Sequence, residues 1–211
     1  PVLSECTFSG NTSEGGGGGM YNNNDCNPTI TSCTFTSNVD DTAGGGMYND
    51  TGSSPSLTGC SFENNTASSQ GGGMFSIDGS PTLANCTFTN NSSGSDGGGM
   101  YCNNSNATLD NCTFDGNSSS DGGGICNDNG SDSTLTGCTF ENNTVTIDGG
   151  AGAYNVGGSN PTYTNCTFAN NAAQSRGGGM RNENNSSPVL NDCIFSGNTS
   201  EGGGGGMYNN N

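Results

Sequence analysis

The sequence has no histidine, no lysine and no tryptophan, and its only two cations are Arg176 and Arg181. Without histidine it lacks the usual general base and the commonest metal ligand of proteins. Against 19 acidic residues, the two cations leave a formal net charge of −17. Because nucleic acids and anionic membranes are bound by clustered cations, we predict neither as a partner. No apolar run approaches the ~18–20 residues needed to span a bilayer, so we also predict no membrane insertion within this segment.

Hydrophobic residues are scarce, at 27% of the 211 residues, whereas glycine alone supplies 39. Such a composition is typical of disorder unless the residues recur at a fixed period. Here the tripeptide Cys-x-Phe occurs eight times, at intervals of 26–28 residues. The cysteine column comprises Cys6, Cys33, Cys60, Cys86, Cys112, Cys138, Cys166 and Cys193. The phenylalanine column comprises Phe8, Phe35, Phe62, Phe88, Phe114, Phe140, Phe168 and Phe195.

Four further columns keep the same register. Three residues before each Cys stands Leu3, Ile30, Leu57, Leu83, Leu109, Leu135, Tyr163 or Leu190. Three residues after each Phe stands Asn11, Asn38, Asn65, Asn91, Asn117, Asn143, Asn171 or Asn198. A glycine run then leads to Met20, Met47, Met74, Met100, Ile125, Ala153, Met180 or Met207. Two residues further on lies a second polar column of Asn22, Asn49, Ser76, Cys102, Asn127, Asn155, Asn182 and Asn209.

One copy of this repeat has too few apolar side chains to fold alone, so neighbouring copies must cover each other in a solenoid. Helical repeats are excluded because Gly and Asn are poor in helix interiors, and a leucine-rich repeat would have several Leu per copy. We therefore predict an all-β parallel β-helix with three short strands per coil and about eight coils, a single array over residues 1–211. Cys and Phe, two residues apart, share the inward face.

Inward asparagines at a bend are expected to form a ladder, in which each amide donates to the carbonyl of the next and so satisfies buried polar groups. The glycines are expected to make a corner where two backbone segments approach closely.

Phe-x-x-Asn paired with Gly-Gly-(Gly)-apolar-Tyr resembles the repeats of chlamydial-type polymorphic outer-membrane proteins and related right-handed β-helix proteins. The resemblance covers all eight coils and implies a right-handed solenoid with an extracellular or cell-surface role, as in autotransporter adhesins. The chain departs from these repeats in having Gly-Gly-Gly-Met where Gly-Gly-Ala-Ile is usual, and we expect no C-terminal membrane barrel within this segment.

Residues 9–24 are identical to residues 196–211. This predicts a superrepeat of 187 residues, of which the chain is a slice. Because the ends of a β-helix are open sheet edges, we expect the partner to be the protein itself, stacked head to tail. A gene duplication in a monomeric stalk is the alternative.

Catalytic groups are not clustered in the sequence. β-Helix enzymes that act on polysaccharides need grouped carboxylates with Arg or Lys. The carboxylates of this chain instead fall at different positions within the repeat from one coil to the next. We therefore predict that the chain is not an enzyme and binds no cofactor. Asp96 and Asp121 do share a column, four residues before Met100 and Ile125. They suggest a weak calcium bridge or, as the favoured alternative, a solvated pair of turn residues.

The cysteine column raises the question of disulfides, because neighbouring Cα atoms about 4.8 Å apart fall inside the disulfide window. Parallel neighbours point the same way and strain such a bridge, so buried free thiols are favoured. Cys102 is predicted to point inward and Cys126 outward.

Asn85, Asn111 and Asn165 each begin a sequon, precede a core cysteine and should face solvent. They are the predicted glycosylation sites. An outward column of threonines raises the further idea of ice binding, although β-propensity on a solvated strand explains it equally well. It comprises Thr7, Thr34, Thr87, Thr113, Thr139 and Thr167, with Ser61 and Ile194.

From the sequence we expect a non-enzymatic, acidic extracellular structural protein that forms a fibre, stalk or surface layer. A cell-surface adhesin or glycan-binding passenger domain is the alternative, and ice binding is the third reading. An adhesin would concentrate unusual residues on one patch, whereas a fibre would keep all its faces alike.

Overall fold

The computed structural model describes residues 1–210. The chain winds through eight coils, numbered here by the cysteines from Cys6 in coil 1 to Cys193 in coil 8. Every strand of the described residues pairs in parallel with the equivalent strand of the adjacent coil. The pairing is in register with the sequence columns, so that Phe8 lies beside Phe35 and Met20 beside Met47. The predicted all-β parallel β-helix of eight coils is confirmed.

The strands form four eight-stranded sheets that run along the axis. Sheet 1 consists of β1 Val2–Ser4, β5 Thr29–Thr31, β9 Ser56–Thr58, β13 Thr82–Ala84, β17 Thr108–Asp110, β21 Thr134–Thr136, β25 Thr162–Thr164 and β29 Val189–Asn191. Sheet 2 consists of β2 Thr7–Ser9, β6 Thr34–Thr36, β10 Ser61–Glu63, β14 Thr87–Thr89, β18 Thr113–Asp115, β22 Thr139–Glu141, β26 Thr167–Ala169 and β30 Ile194–Ser196.

The other two sheets flank the glycine run. Sheet 3 consists of β3 Thr12–Ser13, β7 Val39–Asp40, β11 Thr66–Ala67, β15 Ser92–Ser93, β19 Ser118–Ser119, β23 Thr144–Val145, β27 Ala172–Ala173 and β31 Thr199–Ser200. Sheet 4 consists of β4 Met20–Asn22, β8 Met47–Asn49, β12 Met74–Ile77, β16 Met100–Asn103, β20 Ile125–Asp128, β24 Ala153–Asn155, β28 Met180–Glu183 and β32 Met207–Asn210.

Sheets 1, 2 and 4 correspond to the three strands predicted for each coil. Sheet 3 adds a fourth strand of only two residues, directly after the asparagine column. Its residues show no constant apolar position, because its inward side chains range from Asp40 to Val145. Without such a column, the strand leaves no signal in the repeat.

The interior is a set of stacked columns, as predicted. Ring centroids of successive core phenylalanines lie 4.6–4.9 Å apart with nearly parallel planes. One apolar cluster runs through the coils, and Leu3, Cys6 and Phe8 of coil 1 pack against it while partly exposed. Because each coil covers the apolar side chains of its neighbours, the rod folds with few hydrophobic residues per coil.

The residue before each core cysteine lies in a left-handed bend with φ between 51° and 63°. Asn and Gly tolerate this conformation best. Asn85, Asn111, Asn165 and Gly137 all occupy this column, so the bend by itself accounts for asparagine at these positions.

In coils 1–7 the last glycine of each run is required by close approach to the next coil. A Cβ atom on Gly73 would lie 2.6 Å from the carbonyl oxygen of Gly99 and 2.8 Å from the ring of Phe88. In these coils the column therefore admits no side chain.

No helix suited to crossing a bilayer occurs among residues 1–210.

Candidate functional site

In its interior, the asparagine ladder pairs every hydrogen-bonding group of the side-chain amides. Asn65 Nδ2 donates to Asn91 Oδ1 at 2.9 Å and to the carbonyl oxygen of Phe35 at 2.9 Å. Asn65 Oδ1 in turn accepts from the backbone N and from Nδ2 of Asn38, both at 3.0 Å. A buried amide with two donors and two acceptors is thus fully paired. The same links join successive members from Asn11 to Asn198.

The second polar column also faces inward but forms two separate ladders. Asn22 donates to Asn49 at 2.9 Å, and a second run begins at Asn127 and ends at Asn209. Ser76 and Cys102 interrupt the column between the two runs. Ser76 is too short to replace the asparagine carbonyl, and Asn49 Nδ2 is left buried without a hydrogen-bond partner among the described atoms.

A serine ladder is a third stack, and the sequence analysis missed it. Backbone N–H groups donate to the serine hydroxyl of the next coil, as from Ser105 to Ser131 and from Ser131 to Ser159, each at 3.0 Å. The sequence feature that marks this stack is a serine four residues before the leucine column. The column includes Cys26, whose backbone N–H donates to Ser53 Oγ at 3.1 Å.

All eleven cysteines are free thiols, including the eight of the core column, for which the sequence favours this state. A core thiol such as Cys60 donates to two backbone carbonyls, those of Ile30 and Thr58, both at 3.6 Å. Hydrogen bonding to Cys112 and burial raise the pKa of the Cys86 thiol to about 12. A buried thiol with a raised pKa, such as Cys86, is protonated near neutral pH and acts as a small hydrophobe.

Cys102 and Cys126 lie on opposite sides of sheet 4, as predicted. Cys102 is in the central core, and burial raises its pKa to about 12. Cys126 belongs instead to an outer cluster with Phe75 and Tyr101. The outward aromatics of sheet 4 form part of this cluster, in which the hydroxyl of Tyr101 donates to Asp128 at 2.7 Å.

The three predicted glycosylation sites, Asn85, Asn111 and Asn165, are all exposed. Nothing in the contacts of these residues tests modification itself, which stays a prediction.

The threonine column of sheet 2 faces outward. Sheet 1 also presents two outward threonine columns, which the sequence analysis did not consider. Thr134 and Thr136 are both exposed there, but Ala84 and Asp110 interrupt the second column. No continuous two-column hydroxyl array is formed on sheet 1, so this face does not strengthen the ice-binding reading.

Asp96 and Asp121 are neighbours in a parallel bridge. Burial raises the pKa of Asp96, and burial also raises that of Asp121, to about 6. Asp121 Oδ1 accepts from the backbone N–H of Gly149 at 2.9 Å. No group of three or more His, Cys, Asp or Glu that could hold a metal ion occurs among residues 1–210. Calcium binding at this pair stays a prediction that the arrangement does not strengthen.

Arg181 joins three coils through a buried guanidinium group. It lies 2.6 Å from Asp148, 2.7 Å from Glu183 and 3.4 Å from Asp121. Its guanidinium carbon is also 5.1 Å from the centroid of the Tyr154 ring. A buried cation with several hydrogen-bonded carboxylates fixes the geometry of the loops that carry them.

The loops that Arg181 holds are the irregular part of the rod. From the asparagine column to the methionine column the chain takes nine positions in six of the coils. It takes eight in coil 5, from Asn117 to Ile125, and ten in coil 6, from Asn143 to Ala153. The longer loop of coil 6 carries Ile147, which is 67% exposed. Both arginines lie in coil 7, directly beside it.

A shallow cleft of about 460 Å³ lies beside this loop, across the outer surface of sheet 3 in coils 6–8. Its lining consists of Thr144, Val145, Thr146, Ala172, Ala173, Gln174, Thr199, Ser200 and Glu201. A second depression of about 220 Å³ adjoins it and shares Thr146. The unusual residues of the chain are therefore concentrated on one patch, formed by the coil 6 loop, Arg176, Arg181 and the cleft.

Comparison with known families agrees with the geometry. The family described as right handed beta helix region matches residues 1–97 and 68–211, which together span the chain. The chain belongs to this family. The right-handed β-helix implied by the resemblance is thereby confirmed, whereas its surface role stays a prediction. No curated protein matches the chain.

Proposed function

We propose that this β-helix is a non-enzymatic extracellular structural protein that builds a fibre, stalk or surface layer by stacking of its coils. The observation that carries the proposal is the equivalence of coils 1 and 8. Residues 9–24 and 196–211 are the same sixteen residues. Within the described residues, both coils contribute a strand to all four sheets.

The equivalence matters because coil 1 already pairs with coil 2 in register. Phe8 stacks on Phe35, and Asn11 Nδ2 donates to Asn38 Oδ1 at 2.9 Å. Coil 8 repeats these residues as Phe195 and Asn198. It therefore offers a following coil the same stacking ring and the same amide donor. A further copy, covalent or from a second molecule, can continue all four sheets without a change of register.

The chemistry of the cleft supports a role without catalysis. Hydrolysis of a glycosidic bond usually requires a pair of carboxylates on either side of that bond. The lining of the cleft includes one carboxylate, Glu201, among hydroxyl, amide and methyl groups. The carboxylates around Arg181 are engaged by the guanidinium and by backbone N–H groups.

Extracellular placement would gain support from glycans at the exposed sequons of Asn85, Asn111 and Asn165. A glycan at these bends would project away from the core, and the acidic surface would keep the rods soluble. Mass analysis of the three peptides from protein of the natural source tests this directly. Glycan-free peptides at all three sites would remove this support.

An adhesin is the second candidate, and one observation favours it. A uniform fibre keeps all its faces alike, whereas the patch at coils 5–8 brings together both arginines, the irregular loops and the cleft. As an adhesin, the rod would present this patch to a receptor or a glycan.

Negative-stain electron microscopy of the native protein across a calcium titration separates the two candidates. The structural function predicts long filaments of uniform width at some calcium concentration. Short monodisperse rods at every concentration would overturn it and leave the adhesin as the leading function.

A further inference from the structure

Ile147 is the one large hydrophobic side chain that coils 3–7 expose to solvent within the described residues. The other exposed members of this class lie in coils 1, 2 and 8: Val2, Tyr21, Val39, Val189 and Ile194. Single exposed apolar residues are normal on protein surfaces and by themselves indicate no site. The surroundings of Ile147 distinguish it from the others.

The loop that carries Ile147 is held in place at the following residues. Asp148 pairs with the buried Arg181 at 2.6 Å, and its backbone N–H donates to the carbonyl oxygen of Ser120 at 3.3 Å. The next N–H, of Gly149, donates to Asp121 at 2.9 Å. The loop is therefore a fixed projection, and its apolar side chain is presented with little conformational entropy left to lose on binding.

A matching cavity lies next to the projection. Thr146, the residue before Ile147, belongs to the lining of the 460 Å³ cleft together with Thr144 and Ala172, while the lining residues Val145 and Ala173 are buried beneath it. Projection and cavity thus sit side by side on one face. A two-fold axis across this face brings the projection of each molecule to the cavity of the other, as an isologous contact requires.

The charges at the rim are also complementary. All three ion pairs in residues 1–210 belong to Arg181; the half-exposed Arg176 has none, and its guanidinium carbon lies 5.1 Å from the centroid of the Tyr208 ring. Arg176 follows the cleft residue Gln174 by two positions, and the exposed Glu201 belongs to the lining. Across a two-fold axis, Arg176 of one molecule faces Glu201 of the other. In a chain of net charge −17, a free cation beside an exposed carboxylate allows the sides of two copies to meet with electrostatic attraction.

We propose that this face is a lateral contact between two copies of the chain, in which Ile147 of each rod enters the cleft of the other and Arg176 pairs with Glu201. This inference rests on the proposed structural function and adds side-to-side pairing to end-to-end stacking. A single contact is small and weak. The predicted 187-residue superrepeat would repeat it along a fibre, so that many weak contacts act together.

Small-angle X-ray scattering of the chain over a concentration series at ~0.15 M salt tests the pairing. Lateral pairing raises the cross-sectional radius of the scattering particle, whereas end-to-end stacking raises its length at constant cross-section. We expect the cross-section to grow with concentration. Ile147→Asp should weaken this association about tenfold or more, because an apolar side chain no longer fills the cleft.

Val39→Asp is the matched control. It also replaces an exposed aliphatic residue by aspartate and gives the same net charge, but in coil 2. It should leave the cross-sectional radius at the wild-type value. Equal effects of both substitutions, or a cross-section independent of concentration in the wild type, would overturn the proposal.

A charge exchange tests the orientation of the two copies. Arg176→Glu and Glu201→Arg should each weaken pairing, and the double variant should restore it. Loss of pairing in all three variants would contradict the two-fold arrangement. Filaments that lengthen without any change of cross-section would overturn lateral pairing but agree with the proposed stacking function. Pairs of rods that never lengthen would support lateral pairing and contradict the stacking function.

Discussion

Asn65 and Asn91 lie one coil apart, and the side-chain amide of Asn65 donates to the side-chain carbonyl of Asn91 at 2.9 Å. The backbone N–H of Asn65 donates to the same oxygen at 3.0 Å. The side-chain carbonyl of Asn91 therefore accepts hydrogen bonds from two buried donors of the preceding coil. Because both residues are fully buried, this link joins the coils as strongly as a core contact does.

Asn91→Ala should lower the free energy of unfolding by about 3 kcal/mol or more, because it leaves several buried polar groups unpaired, each of which costs ~1–3 kcal/mol. The groups are the two donors of Asn65 and the carbonyl oxygen of Phe62, which Asn91 Nδ2 otherwise pairs at 2.9 Å. Urea unfolding followed by circular dichroism measures the change. Asn11→Ala is the control, since Asn11 belongs to the same column but is exposed. Equal losses for both variants would show that burial of the ladder is not the cause.

Gly73→Ala should destabilise the rod more than replacement of glycine by alanine in a helix or loop usually does. The new Cβ would meet the Gly99 carbonyl oxygen at 2.6 Å and the Phe88 ring at 2.8 Å. Since neither neighbour can move without shifting a whole column, we expect a loss of about 2–3 kcal/mol, as for overpacked cores. Gly15→Ala, where the added Cβ meets nothing within 4 Å, should change stability by less than about 0.5 kcal/mol. Thermal melts of the two variants provide the comparison.

The stability of the fold should depend on pH in part through the titration of Asp121. Burial raises the pKa of Asp121 from 3.8 to about 6, so the folded chain holds this proton more tightly than the unfolded chain does. Its contribution to stability is therefore present below about pH 4 and is lost as the pH rises toward 6. Melting temperatures measured from pH 4 to pH 7 should fall, and Asp121→Asn should remove part of that fall. An identical slope in the variant would contradict the assignment.

Thiol titration distinguishes free cysteines from disulfides. With free thiols, a thiol reagent in denaturant should modify all eleven cysteines. In the native protein it should react at the half-buried Cys6, Cys26 and Cys193 while the fully buried ones stay protected. Modification of only three cysteines in denaturant would mean that the eight members of the column are joined in four bridges.

The periodic columns predict most of the fold, because a repeated apolar or asparagine position in a solenoid has one physical role. The columns predict Leu57, Cys60, Phe62 and Asn65 on the inward face, and all four are buried. The short strands of sheet 3 left no signal, since inward Asp40 keeps its carboxylate buried by hydrogen bonds to Gly16 and Ala43 rather than by apolar packing.

The candidate patch was not predictable in the same way. A loop one residue shorter or longer than the usual nine positions, as in Asn117–Ile125 and Asn143–Ala153, is ordinary variation in a repeat. Only the coordinates reveal that Arg181 reaches back 60 positions to Asp121 and holds these loops beside a cleft. The one trace of this patch in the sequence is that both cations, Arg176 and Arg181, fall in the same coil.

The central claim is that coils stack in register beyond a single copy, and X-ray diffraction from aligned, concentrated native protein tests it most directly. Coils stacked along a fibre predict a meridional reflection at about 4.8 Å, parallel to the fibre axis. The particles should also be much longer than the roughly 34 Å of seven coil intervals. Separate rods of that single length, with no orientation in the diffraction at any concentration, would contradict the account.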